Sequence, residues 1–279
     1  MFKIKHDVEG GSTLYGAFEK FPGIFDTLYL SLLKTGEVSG MLDKVLTKLA
    51  DNMEKQREFD SKIKGALIYP VIVVLGMLGV AVVMMIFVIP KLTDLYTDLT
   101  VELPMSTKIL IGMSDFTVSY WWLVIIVIFG LFSFYSSFRK TAFGRELTDG
   151  YKLKVPVFGP LSEKVILAQI CRTLGLLVGV GIPIIESINI VKNASGNVLY
   201  ENAMTYAAKH VEKGFPLGVS LEQKKVFPPI VPQMIRIGEE TGKLDDSLTK
   251  LSYYFESESE QMMKGLTTAL EPIIMVVLG

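Results

Sequence analysis

Two apolar patterns alternate along the chain. In one, apolar residues run on without any charge; in the other, they recur every three to four positions among polar ones. Ala66 to Ile89 is the clearest case of the first, with 24 residues free of Asp, Glu, Lys and Arg. As a helix it would be about 36 Å long, enough to cross a hydrocarbon core of about 30 Å with some tilt. A second uncharged stretch runs from Phe116 to Phe138 and is most apolar between Tyr120 and Phe134. Tyr120, Trp121 and Trp122 stand at its start, where amphipathic rings favour the interface. A third apolar run begins at Pro272 and reaches the last residue, Gly279, after only eight residues.

The second pattern fills the rest. Val165, Ile166, Ala168, Ile170, Leu174, Leu177 and Val178 have helical spacing. Gly179 and Gly181 offer a stop, and Pro183 suits the first turn of a following helix with Ile184, Ile185, Ile188 and Val191 on its apolar face. Thr173 to Ile185 is apolar but short and broken by Gly-Ile-Pro, so a buried hairpin is expected there and not a span. Asn197 to Glu212, Leu217 to Gln223, a segment from Phe227 and a long one from Lys243 to Thr268 complete about six helices. Thr241 is expected to cap the last. No stretch alternates with period two over a comparable length, so the fold class is all-α.

One pattern occurs twice, 202 residues apart. Phe25, Gly36-Glu37-Val38-Ser39-Gly40, Leu42-Asp43, Glu54, Glu58, Lys62 and Pro70 are matched, without a gap, by Phe227, Gly238-Glu239-Glu240-Thr241-Gly242, Leu244-Asp245, Glu256, Glu260, Lys264 and Pro272. A one-residue shift extends the match from Val8-Glu9 and Leu14 to Val211-Glu212 and Leu217. This reads as a duplicated helical domain joined to membrane helices. The expected segments are a first domain copy at 1–65, a span at 66–90, a short outside loop at 91–116, a span at 117–138, a second copy at 139–268 and the start of a third span at 269–279. Met1 aligns with Met204, so the first copy lacks a counterpart of what precedes Met204. The expectation is a piece that lacks a helical hairpin at the front and most of a span at the back.

Composition agrees with membrane spans: half the residues are apolar and the mean hydropathy is +0.42. The net charge of −1 implies no bulk attraction to nucleic acid. Cys171 is the one cysteine, so no intrachain disulfide can form, and its apolar neighbours suggest burial. Lys55, Arg57, Lys62 and Lys64 precede the first span, and Arg139, Lys140, Arg145, Lys152 and Lys154 follow the second. The segment between the spans holds only Lys91 and Lys108, so both domain copies are expected in the cytoplasm.

Several residues have two readings. Glu37 and Glu239 either brace their turns by accepting backbone N–H groups or meet a partner. Glu54 with Glu58, and Glu256 with Glu260, are spaced i, i+4 on a helix. Each pair forms either a solvated face or a face for a partner or cation. Glu271 sits either at the interface or in a bonded contact between spans. Pro70 and Pro272 begin or kink the spans. His6 and His210 have no ligand pattern near them, so no metal and no cofactor are expected. There is no phosphate loop, no His-Glu-x-x-His and no Gly-x-Ser-x-Gly, which argues against an enzyme.

Together these residues resemble the F-protein family of type II secretion systems and type IV pilus machines. The marks are the turns Gly36–Gly40 and Gly238–Gly242, Tyr69-Pro70 and Glu271-Pro272, Leu103-Pro104, the linker from Val155 to Leu161, and Arg172-Thr173-Leu174 followed by Gly181-Ile182-Pro183. The resemblance implies an inner-membrane assembly platform with two six-helix cytoplasmic domains, three spans and self-association. It also implies a cytoplasmic hexameric secretion ATPase, small inner-membrane assembly proteins and pilin-like subunits as partners, with no nucleic acid. An oligomeric transporter or channel component is the competing reading. It would call for polar groups at mid-membrane, and none occurs between Val71 and Ile89. The topology has a direct check. A reporter fused after Leu99 should read as outside and one after Gly150 as inside; the same side for both would overturn it.

Overall fold

The computed structural model describes residues 2–91, 105–156 and 158–278. The described residues carry twelve α-helices and no strand: α1 (Phe2–Glu9), α2 (Leu14–Glu19), α3 (Thr27–Ser39), α4 (Leu42–Val83), α5 (Met105–Arg139), α6 (Ala142–Lys154), α7 (Phe158–Gly179), α8 (Ile184–Ala194), α9 (Val198–Val211), α10 (Leu217–Glu222), α11 (Ile230–Thr241) and α12 (Leu244–Leu278). The chain is therefore all-α, as its periodicity predicts.

The local reasons are visible at the helix ends. Asp26 accepts the Tyr29 N–H at 2.8 Å to start α3, and Asn197 accepts the Leu199 N–H at 3.0 Å to start α9. Pro183 and Pro216 stand immediately before α8 and α10, where a missing N–H costs nothing. Thr241 departs from expectation. It ends α11, and its Oγ1 donates back to the Ile237 carbonyl at 2.7 Å, so it does not cap α12.

Two compact units result: Met1–Lys64 with Glu146–Lys264, and Gly65–Arg145 with Gly265–Gly279. The first unit is a helical bundle. Its main core draws Leu167, Leu174 and Leu177 from α7, Ile188 from α8, Met204 from α9, Leu221 from α10, Ile235 from α11 and Phe255 from α12. Leu32 of α3 and Val45, Leu49 and Phe59 of α4 join the same cluster. Burying each such side chain contributes about 1.5–3 kcal/mol. The sequence suggests separate domains at 1–65 and 139–268; here the two stretches share one core. A smaller core, Ile4, Ala17, Phe18 and Leu33, lies within the first stretch, with the Phe18, Phe25 and Tyr29 rings clustered 4.5–5.6 Å apart.

In the second unit, α4 carries its apolar run with no part of its most apolar window buried. Among the described residues, Leu42–Lys91 is the one helix long and apolar enough to cross a membrane. Its ladder widens to a π-turn at Met84–Val88. Pro70 and Pro272 lie inside α4 and α12, so neither begins a helix. Helix α5 starts at Met105, so residues 105–116 are helical where a loop was expected, and its backbone bends at Tyr120 (φ −119°, ψ 24°). The expected outside loop at 92–104, including Leu103-Pro104, lies outside the described residues, as do Met1, Val157 of the linker, Gly279 and the side chain of Glu271. The expected second and third spans fall on α5 and the end of α12, whose side chains are described only in part.

Burial at Cys171 has a measurable consequence. Its thiol is 1% exposed, and desolvation of the thiolate pushes its pKa up to about 12. The folded state holds this proton more tightly than the unfolded chain, whose thiol titrates near 9.0. The contribution to stability is thus complete below pH 9.0 and lost as pH rises toward 12. A maleimide at neutral pH should leave the native chain unlabelled and label one thiol after denaturation; rapid native labelling would contradict the burial.

Candidate functional site

The two glycine-bounded turns have the same construction. Helix α3 ends at Gly40 (φ 68°, ψ 13°) and α11 at Gly242 (φ 67°, ψ 18°), a left-handed conformation that a Cβ would strain. Gly40 and Gly242 donate to the carbonyls of Glu37 and Glu239 at 3.3 Å. Met41 and Lys243 donate to the carbonyls of Gly36 and Gly238 at 3.0 and 2.9 Å. This double closure satisfies carbonyls that a helix end leaves open. Gly36 and Gly238 allow the next helix to approach. A Cβ on Gly238 would lie 2.9 Å from Leu244 Cα, and one on Gly36 would lie 3.2 Å from Leu42 Cα.

The acids in these turns are engaged at both oxygens. Glu37 accepts the N–H groups of Leu14 (2.6 Å) and Tyr15 (3.0 Å), at the start of α2. Glu239 accepts those of Leu217 (2.6 Å) and Gly218 (3.0 Å), at the start of α10. A carboxylate there meets unpaired donors and the positive end of the helix dipole. Each acid thereby ties a six-residue helix to the helix that carries the turn.

A polar seam runs between α4, α7 and α12 within the first unit. Arg172 of α7 is 7% exposed. It donates to Glu256 of α12 and to Gln56 of α4, and its guanidinium lies 5.4 Å from the centre of the Phe59 ring. Lys62 donates to Glu260 at 2.9 Å, and Lys55 to the Tyr253 hydroxyl at 2.8 Å. The bond to Tyr253 raises the Lys55 pKa, and the bond to Glu260 raises that of Lys62. Lys48 donates to the Gly179 carbonyl at 2.8 Å. Beside the seam lies a cleft of about 280 Å³ lined by Lys48, Asp51, Lys55, Arg172, Asp245 and Glu256, among others. Its charges are mixed, and no nucleophile–base arrangement converges on it.

The acid pairs read from spacing are thus used differently. Glu256 and Glu260 are partly buried and bonded to Arg172 and Lys62. Glu54 and Glu58 are exposed, next to Met53, Arg57 and Ser61. His210 packs on Tyr206: its Nδ1 is 3.1 Å from the Tyr206 carbonyl, and the two ring centres are 4.0 Å apart. Among the described residues, no group of three or more His, Cys, Asp or Glu side chains could hold a metal ion. Spacing alone did not reveal the role of Arg172. The signal was the one charge in the run from Val165 to Gly179, a cation among apolar positions, which requires a buried acceptor.

Braced turns, a shared helical core and a polar seam between long helices define a helical scaffold whose polar groups bond one another. The chain belongs to the family described as type II secretion system (T2SS), protein F, whose profile matches residues 1–90 and 170–279. It is 38% identical over 278 residues to the type IV pilus assembly protein PilC of Thermus thermophilus, covering 99% of this chain and 68% of that one. It is 36% identical to the PilC of Myxococcus xanthus over 280 residues, covering 100% of this chain and 67% of that one. It is 35% identical to the type II secretion system protein F of Xanthomonas campestris pv. campestris over 273 residues, covering 97% and 67%. The chain is accordingly a component of a secretion or pilus-assembly machine.

The turns rank three substitutions. Gly238→Val forces a side chain against the backbone of Leu244, and Gly242→Val places a β-branched residue at positive φ. Overpacking costs about 1–3 kcal/mol, and left-handed strain about as much. Glu239→Ala leaves two helix-end donors to water and should cost about 1 kcal/mol. Thermal unfolding should therefore show larger losses for both valine variants than for the alanine variant; equal melting temperatures would refute the ranking.

Proposed function

We propose that this chain belongs to an inner-membrane assembly platform, which couples a cytoplasmic hexameric secretion ATPase to the assembly of pilin-like subunits. The observation that carries the reading is the family match in both halves of the chain, joined to a helix that runs unbroken from the bundle core into an uncharged apolar run. Leu49 and Phe59 anchor α4 in the core, and on this reading Ala66 to Ile89 carries the span. On this reading the chain is multi-pass, with repeated cytoplasmic domains, three spans and self-association, and it contacts small inner-membrane assembly proteins. The chain itself performs no chemistry; the ATPase supplies the energy.

The exposed acids Glu54 and Glu58 on α4 are the best candidates for the ATPase face, because Glu256 and Glu260 are already bonded within the bundle. The turn acids Glu37 and Glu239 hold the bundle in shape, and Pro70, Glu271 and Pro272 mark the entry to the spans. The test is capture of the partner secretion ATPase by the full chain in detergent. The wild-type chain should retain it, and Glu54→Lys combined with Glu58→Lys should weaken retention about tenfold, a change of about 1.4 kcal/mol. No retention by the wild type, or ATP hydrolysis by the purified chain alone, would overturn the reading.

A further inference from the structure

Helix α6 (Ala142–Lys154) uses one face and leaves the other bare. On the used face, Asp149 is 1% exposed, and its Oδ2 accepts the Val198 N–H at 3.1 Å. Its carbonyl accepts from Asn197 Nδ2 at 3.4 Å, and Leu153 packs against the main core. The bare face carries Phe143 (69% exposed), Leu147 (40%) and Tyr151 (68%). Residues four apart stack on one side of a helix, so these three form a single stripe. Two large aromatic rings in water have no role in the fold of the bundle.

Charge and chain connectivity identify what covers the stripe. Residues 139–154 hold five basic side chains, Arg139, Lys140, Arg145, Lys152 and Lys154, against the acids Glu146 and Asp149, of which Asp149 is buried. Lys152 keeps 45% of its side chain exposed while lying 3.9 Å from Asp149. Helix α6 begins at Ala142, three residues after α5 ends at Arg139. Three residue steps reach at most about 11 Å. If α5 crosses the bilayer, the start of α6 cannot leave the headgroup layer.

We propose that the exposed face of α6 is an interfacial anchor for an anionic lipid surface. Phe143, Leu147 and Tyr151 insert at the boundary between headgroups and acyl chains, and Lys154, in line with the stripe, meets lipid phosphates. An aromatic stripe that ends in a lysine, on a segment of net positive charge, fits helices that lie in this plane. Lysine stems cover apolar surface while their ammonium groups reach the phosphates. The inference rests on the reading in which α5 is a membrane span.

The test uses the full chain reconstituted in vesicles of phosphatidylcholine with or without phosphatidylglycerol. Because Cys171 is buried, an introduced surface cysteine is the residue that labels. Tyr151→Cys carries an environment-sensitive fluorophore, Phe129→Cys marks α5, and Lys213→Cys serves as an aqueous reference. The expected result is deep quenching at position 129 and shallow lipid quenching with a blue shift at position 151. The shift at 151 should grow with phosphatidylglycerol and fall several-fold in Lys154→Glu. Deep quenching at 129 with an aqueous signal at 151 overturns the anchor and leaves the span standing. A signal at 151 shielded from water but unreached by lipid quenchers also overturns it, and means that a second copy or another protein covers the stripe. An aqueous signal at 129 removes the span reading, and the anchor with it.

Discussion

Arg172 is the constraint to which the bundle answers. A guanidinium inside an apolar helix cannot be left unpaired, since breaking a buried ion pair costs about 3–5 kcal/mol. Its two acceptors stand on different helices, Glu256 on α12 and Gln56 on α4. Satisfying one cation therefore fixes the mutual register of all three helices. Lys55 with Tyr253 and Lys62 with Glu260 extend the same seam about one turn of α12 to either side of Glu256. Apolar packing would tolerate a slide of one helix along another; directional bonds at three levels do not.

The turns act at the other end of the same helices. Gly40 and Gly242 reverse the chain into α4 and α12, while Gly36 and Gly238 let each incoming helix lie close to the one before it. Glu37 and Glu239 then tie in α2 and α10, which at six residues are too short to hold themselves. The long helices are thus fixed at their first turn by glycine geometry and several turns later by the polar seam.

Much of this was legible in the residues. Helical periodicity gave the helix class, Asn197 the start of α9, and the glycines the two turns, because each rests on local chemistry. What escaped depends on tertiary contacts. The i, i+4 spacing of Glu256 and Glu260 places them on one face but cannot tell whether that face meets water or a cation. Thr241 is chemically equal to either role, and the neighbouring Ile237 carbonyl won it. Residues 105–116 carry polar side chains that suggest a loop, yet continue as helix. The shared core of residues 1–64 and 146–264 leaves no local mark, because Leu49 and Phe59 look the same whichever helix they pack against.

The interior prolines give the long helices a ruler. Pro70 lies 30 residues beyond Gly40, and Pro272 lies 30 residues beyond Gly242. Thirty residues are a little over eight turns of helix. Each also omits one rung of the hydrogen-bond ladder, so bending there breaks fewer bonds than bending elsewhere. Both long helices thus carry their weakest rung at the same count of residues from the turn that starts them.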